Sequence, residues 1–247
     1  MTGITTENHT LAVGDGTSMN AFVARPAENG PFPSLLVFQE AFGVNGHIRD
    51  VAQRLAREGY VAIAPEIYHR TGVGVEIPYN DFASGMPHMK ALTEKGLSDD
   101  VYAAFGWLRD SSHVQPARIG SIGFCMGGRI SFLANAIVPL RASISFYGGG
   151  MAPTLLPRAP QLHAPMLFFW GGLDKHIPPD QIRSVVDAVK AAGKPYINVE
   201  ISDADHGFFC DVRPTFNPAA AAEAWSLSLS FLQTHVKQSG DQKKAAG

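Results

Sequence analysis

Cysteine is nearly absent from this sequence of 247 residues. Cys125 and Cys210 are the only two, too few for a disulfide framework. Basic clustering is equally sparse: the net charge is −2 and no basic run exceeds Lys243-Lys244. A nucleic-acid partner therefore has no electrostatic support. No uninterrupted apolar run approaches the ~20 residues a membrane helix needs. The opening segment MTGITTENHT has neither a charged start nor an apolar stretch, so no signal peptide is expected, and the location expected is cytoplasmic. H-E-x-x-H and G-x-G-x-x-G are both missing, which argues against a metallohydrolase and a dinucleotide site. No cofactor and no metal are expected.

What is present is a regular alternation of apolar runs and amphipathic stretches. Hydrophobic residues make up 45% of the chain, and a chain of this length buries roughly three quarters of its unfolded surface, enough for one large core. Residues 9–25 suggest two short strands around Gly14-Asp15-Gly16, an antiparallel hairpin. Continuous apolar runs at 34–39, 61–68, 117–124, 141–148 and 164–171 read as strands buried on both faces, with a further strand at 196–202. Helices are expected at 47–60, where Ile48, Val51 and Leu55 share a face and Gly59 closes the run, and at 100–111, 127–137, 181–192 and 219–235. Residues 69–97 break the alternation with scattered glycine and proline, and so long an excursion in a compact domain predicts a lid or pocket wall. The expected architecture is a single α/β domain over 1–236, with a mostly parallel sheet covered on both faces. Residues 237–247 are expected to fray. Ligands then belong at the carboxyl ends of the strands.

The stretch Gly123-Phe124-Cys125-Met126-Gly127 falls where a strand gives way to a helix. Flanking glycines permit the sharp turn that raises a nucleophile above a sheet edge. The dipole of the following helix favours a thiolate there. The bland alternative is a small buried hydrophobe at a close strand–helix crossing. Partners favour the nucleophile. Asp174 lies beyond one later strand end and His206 beyond the next, in the chain order nucleophile, acid, base of α/β-hydrolases. His206 would take the Cys125 proton and Asp174 would orient the imidazole. Asp203 and Asp205 compete for the acid role. The N–H groups of Met126 and Ala41 map onto an oxyanion hole. Glu40, also at a strand end, is placed to influence the thiol.

With these residues in view, the chain resembles the dienelactone hydrolase (carboxymethylenebutenolidase) family. The matching motifs are QEAFGVN at 39–45, PEIY at 65–68, GFCMGG at 123–128, FYGGG at 146–150, GGLDKHIP at 171–178 and DHGF at 205–208. The resemblance implies a single α/β-hydrolase domain with a Cys125–His206–Asp174 triad and no cofactor. It also assigns to Glu40 the glutamate that modulates the thiol until substrate displaces it. It departs at substrate selection. The family pattern holds a substrate carboxylate with arginines, one from the excursion and one four residues beyond the histidine. Position 210 is cysteine here, leaving Arg213 and Arg70 as the nearest substitutes. Phe42 and Tyr147 are expected as pocket walls.

The leading expectation is cofactor-independent hydrolysis of small lactones or carboxylic esters through an acyl-enzyme, by a monomer or small homo-oligomer. The competing readings are an α/β-hydrolase-fold binding or sensing protein with little turnover, and a thiol-redox role for Cys125.

Overall fold

In the computed structural model, which describes residues 3–238, the strands are β1 (Ile4–Ala12), β2 (Ser18–Pro26), β3 (Phe32–Phe38), β4 (Val61–Pro65), β5 (Val114–Phe124), β6 (Ser143–Phe146), β7 (Met166–Gly171) and β8 (Tyr196–Ile201). They form one sheet in the order β1-β2-β4-β3-β5-β6-β7-β8. β1 and β2 make the antiparallel hairpin, β2 joins β4 antiparallel, and every other pairing is parallel. Side-chain patterning explains the positions. β4, β6 and β7 are buried along their whole length, as central parallel strands must be. β8 carries the exposed residues Asn198 and Glu200 and takes the edge.

The helices are α1 (Gly46–Arg57), α2 (Phe82–Lys90), α3 (Glu94–Asp110), α4 (Met126–Ile137), α5 (Pro179–Ala191) and α6 (Pro218–Leu232). Asn45 caps α1 by accepting from the Ile48 N–H at 3.2 Å, and Ile48, Val51, Ala52 and Leu55 form its buried stripe. α4 packs on β3, β5 and β6. A single short turn therefore joins β5 to the most deeply buried helix.

Two expectations need correction. α3 begins at Glu94, not at residue 100. Its first turns contain Gly96, Ser98, Asp99 and Asp100, which favour turns by propensity, but Thr93 caps the Gly96 N–H at 3.0 Å and Lys95 pairs with Asp99 at 2.7 Å. The excursion also holds a helix of its own, α2, despite Gly85 and Pro87. Asp81 caps it by accepting from the Ser84 N–H at 3.3 Å, and Gly85 is buried against Ile77 and the Ala41 carbonyl. Tertiary packing overrides local propensity in both cases.

Of the expected frayed tail, 239–247 lie outside the described residues. Lys237, at its start, is held: its ammonium lies 4.6 Å from the Tyr60 ring centroid, and its carbonyl accepts from Arg118 at 2.6 Å. No described helix is long and apolar enough to cross a membrane.

The sheet order creates a switch point between β3 and β5. The chain leaves β3 toward α1 and β4 on one side, while β5 lies on the other. Phe38 of β3 is level with Gly123 of β5, so the loops bearing Glu40 and Cys125 emerge side by side, where α/β sheets place ligands.

Candidate active site

Cys125 stands between β5 and α4 with φ +54° and ψ −117°. A non-glycine residue there carries backbone strain of about 1–3 kcal/mol, so the surroundings must impose it. Packing does so. A Cβ on Gly123 would collide with the Gly127 carbonyl, and one on Gly127 with the carbonyl of Phe38. The Cys125 N–H donates to the Phe146 carbonyl at 3.0 Å, and the Gly128 N–H donates to the Cys125 carbonyl at 2.9 Å. The turn thus draws β3, β6 and α4 together, and the half-buried Cys125 side chain faces a cavity of about 640 Å³.

Asp174 follows β7 in a tight turn. Its Oδ1 accepts from the His176 N–H at 2.7 Å, and its Oδ2 pairs with His206 Nδ1 at 2.7 Å. His206 follows β8 and lines the same cavity as Cys125. Asp205 is occupied locally by the His206 N–H at 2.6 Å, so among the three acids considered Asp174 is the imidazole's partner. Burial opposes the charged imidazolium, but the Asp174 hydrogen bond and the neighbouring Cys125 sulfur outweigh it, and His206 rises to about 10. Burial raises Asp174 in turn, yet His206 and His176 together outweigh it and hold the carboxyl below its usual range. The two shifts agree: the pair is an ion pair when His206 holds its second proton.

Glu40 is fully buried. Its Oε1 accepts from Arg213 Nη1 at 3.0 Å and its Oε2 from the Tyr79 hydroxyl at 3.2 Å. Arg213 lies between Glu40 and the cavity, with its guanidinium 5.6 Å from the Phe42 ring centroid and 6.0 Å from that of Tyr79. It also presses against Gly207, whose φ of +79° and lack of a Cβ are both required there. This is the physical content of the glycine in DHGF.

Met126 opens α4, so its N–H lacks an intrahelical acceptor. Among the hydrogen bonds of the described residues, none uses the Ala41 N–H, whereas the Ala41 carbonyl accepts from the Tyr68 hydroxyl at 3.0 Å. Tyr68, the tyrosine of PEIY, thereby fixes the Ala41 peptide, and it also reaches the Met126 sulfur at 3.6 Å.

Phe42 lines the cavity. Two other expectations are corrected. Tyr147 is wholly buried beneath the site, with its ring centroid 5.1 Å from that of His206, and is not a wall of the cavity. Arg70 is taken up by Asp15 at 2.7 Å and by Asp100 at 2.9 Å, away from the cavity lining. A buried carboxylate at Asp100 needs a paired cation, which explains why Arg70 turns inward.

Several cavity residues were not anticipated: Tyr79, Phe82, Met89 and Lys90 from the excursion, His176 and Ile177 beyond Asp174, and Arg129. The excursion is thus a pocket wall. Arg129 was visible in principle, because it follows Cys125 by one helical turn and shares its face. Its Nε is buried without a hydrogen-bond partner. The residues from the excursion carried no periodic signal.

Comparison with known proteins identifies the family. The dienelactone hydrolase family matches residues 19–236. A putative carboxymethylenebutenolidase of Escherichia coli K12 is 37% identical over 242 residues, covering 92% of this chain and 85% of the relative. One from Synechocystis is 34% identical over 225 residues, covering 87% and 92%. The crystal structure of a putative dienelactone hydrolase from Klebsiella pneumoniae superposes with a TM-score of 0.83 at 32% identity, covering 93% of this chain and 98% of that one. On sequence, fold and the arrangement of these motifs alike, the chain belongs to the dienelactone hydrolase family.

Proposed function

We propose that this lactone or ester hydrolase works through Cys125 as nucleophile, His206 as proton carrier and Asp174 as the group that orients and charges the imidazole. The observation that carries the reading is the 2.7 Å Asp174–His206 contact in the cavity that the strained Cys125 turn faces.

In the first step His206 takes the proton of the Cys125 thiol, which leaves the thiolate. The thiolate attacks the acyl carbonyl, forming the C–S bond while the carbonyl electrons move to oxygen. The N–H groups of Met126 and Ala41 are the donors for that oxyanion, and such donors are worth about 10²–10³ in rate. When the tetrahedral intermediate collapses, the C–O bond breaks and His206 gives its proton to the leaving alkoxide. In a lactone this alkoxide stays tethered to the acyl group. Water then enters, His206 removes its proton, and a second collapse returns the thiolate and releases the carboxylic acid. Glu40 acts through Arg213: holding the guanidinium at the cavity edge sets the positive field beside the thiolate. Arg213 and Arg129 both line the cavity, so the missing arginine at position 210 no longer favours a protein that binds without turnover.

Steady-state hydrolysis of cis- and trans-dienelactone beside neutral p-nitrophenyl esters tests the reading, with mass spectrometry of the quenched enzyme. Turnover by the native protein, loss of turnover in Cys125→Ala and an acyl adduct on the Cys125 peptide are expected. Undiminished hydrolysis by Cys125→Ala would overturn it.

A further inference from the structure

Behind Arg213, Glu40 meets polar side chains that the hydrolytic steps leave unused. Glu40, His47 and Cys210 are all buried, and each places one ligand-type atom within 4.8 Å of the other two. They arrive from the loop after β3, the first turn of α1 and the loop beyond His206. His47 Nδ1 is 3.9 Å from the Asp211 carboxylate, whereas its Nε2 is buried and has no hydrogen-bond partner. The ring's side chain is only 3% exposed. Buried imidazole nitrogens are ordinarily satisfied, so this one calls for a partner.

We propose that Glu40, His47 and Cys210 form a binding site for a thiophilic divalent cation, with zinc the best match. Thiolate, imidazole and carboxylate are the donor types zinc takes in tetrahedral sites, with water as the fourth ligand. Magnesium and calcium prefer all-oxygen shells. Ligand atoms about 2.0–2.3 Å from a tetrahedral zinc lie roughly 3.5 Å apart, so these side chains must draw in by about 1 Å. An approach exists. A second cavity, of about 480 Å³, reaches His47 and Tyr79 and is bordered by Asp50, Glu76 and Asp211. Acidic borders concentrate cations.

Tyr79 supplies the outer-shell contact. Its hydroxyl accepts from Asn45 Nδ2 at 2.9 Å and from the Cys210 thiol at 3.2 Å, and donates to Glu40 Oε2 at 3.2 Å. On binding, the Cys210 S–H bond breaks, its proton passes to solvent and an S–metal bond forms. The Tyr79 hydroxyl then turns its proton to the thiolate, which frees Glu40 Oε2 for the metal while Oε1 keeps Arg213. Such outer-shell partners orient metal ligands.

The site shares Glu40 with the proposed hydrolytic machinery, and its test reads the metal rather than turnover. The full chain, stripped with chelator, is titrated with Zn²⁺ by calorimetry and with Co²⁺ by absorption. One ion per chain is expected in the native protein and in Cys125→Ala, with a thiolate-to-cobalt charge-transfer band. Binding should weaken at least about tenfold in Cys210→Ser and in His47→Gln, since even outer-shell losses cost that much. X-ray absorption of the zinc-loaded native protein, needing no substitution, should show one sulfur at about 2.3 Å. Absence of stoichiometric binding, or a sulfur-ligated ion lost in Cys125→Ala but kept in Cys210→Ser, would overturn the proposal. The latter result would place the ion on Cys125 and His206.

Discussion

The two cysteines occupy opposite kinds of environment within one neighbourhood. Cys125 sits on a strained strand–helix turn, half-buried, facing the cavity that His206 also lines. Cys210 lies buried in a loop with its thiol on Tyr79. Burial and then the Glu40 charge push the Cys210 thiol up to about 11. The residue type is the same, and reactivity is set by what surrounds the sulfur: a helix N-terminus and the His206 imidazole in one case, apolar packing and a carboxylate in the other. Ligand chemistry is open to both, and the nucleophilic role proposed above is assigned to the first.

The largest expected break in this contrast comes from Cys125→Ala, which should lower kcat/KM on the responsive ester or lactone by about 10⁴-fold or more, as removal of a triad member does. Thermal unfolding at an unchanged temperature would show that the fold persists.

Asp174→Asn should follow, with kcat lower by about 10³–10⁴-fold, and it carries a pH signature. With His206 raised to about 10, native activity is retained on the alkaline side until pH passes that value and then falls as the imidazolium loses its proton. Removing the carboxylate should move that limb toward neutrality in a pH–rate profile; an unmoved limb would assign it to another group. The same shift has a stability consequence. His206 binds its proton more tightly folded than unfolded, so its contribution to stability is complete below pH 6.5 and is lost as pH rises through about 10. Denaturant midpoints measured from pH 6 to 10.5 in native protein and Asp174→Asn would show the difference.

Timed iodoacetamide labelling should modify Cys125 at least about a hundredfold faster than Cys210, because only the thiolate reacts. Peptide mapping reads this directly, and equal rates would remove the contrast.

Gly127→Ala tests the packing that imposes the strained turn. The added Cβ meets the carbonyls of Phe38 and Gln39, and a loss of about 2–3 kcal/mol is expected by urea unfolding. Smallest is Tyr79→Phe, which removes one donor to Glu40 and one acceptor for the Cys210 thiol. About 1 kcal/mol of stability should go with it.

How much of this could be seen in the residues alone depended on the range of the interactions. The buried strands were legible because continuous apolar runs bounded by glycine and proline report burial on both faces. The Cys125 turn was legible because two glycines flank the cysteine at the end of an apolar run. Asp174 and His206 were singled out, and paired with each other, through their places after successive strands, with Asp203 and Asp205 as competitors for the acid role. Only the 2.7 Å contact across the loops after β7 and β8 separates them. Arg70 and Tyr147 misled for the complementary reason. An arginine in an irregular segment looks free until Asp100, thirty positions on, proves to be buried and in need of a cation. A tyrosine at a strand end looks like a wall until the loop bearing His206 covers it.

The sequence by itself determined the alternation of strands and helices, the turn that presents Cys125 and the order along the chain of Cys125, Asp174 and His206. These rest on periodicity, glycine sterics and chain order, all short-range or one-dimensional properties. Tertiary structure alone decided which acid holds His206, that Glu40 faces Arg213 and Tyr79, that α2 walls the cavity, and that Cys210 lies beside His47. Each is a contact between residues distant in the chain, made when the sheet brings its carboxyl edge together, and no local pattern encodes it.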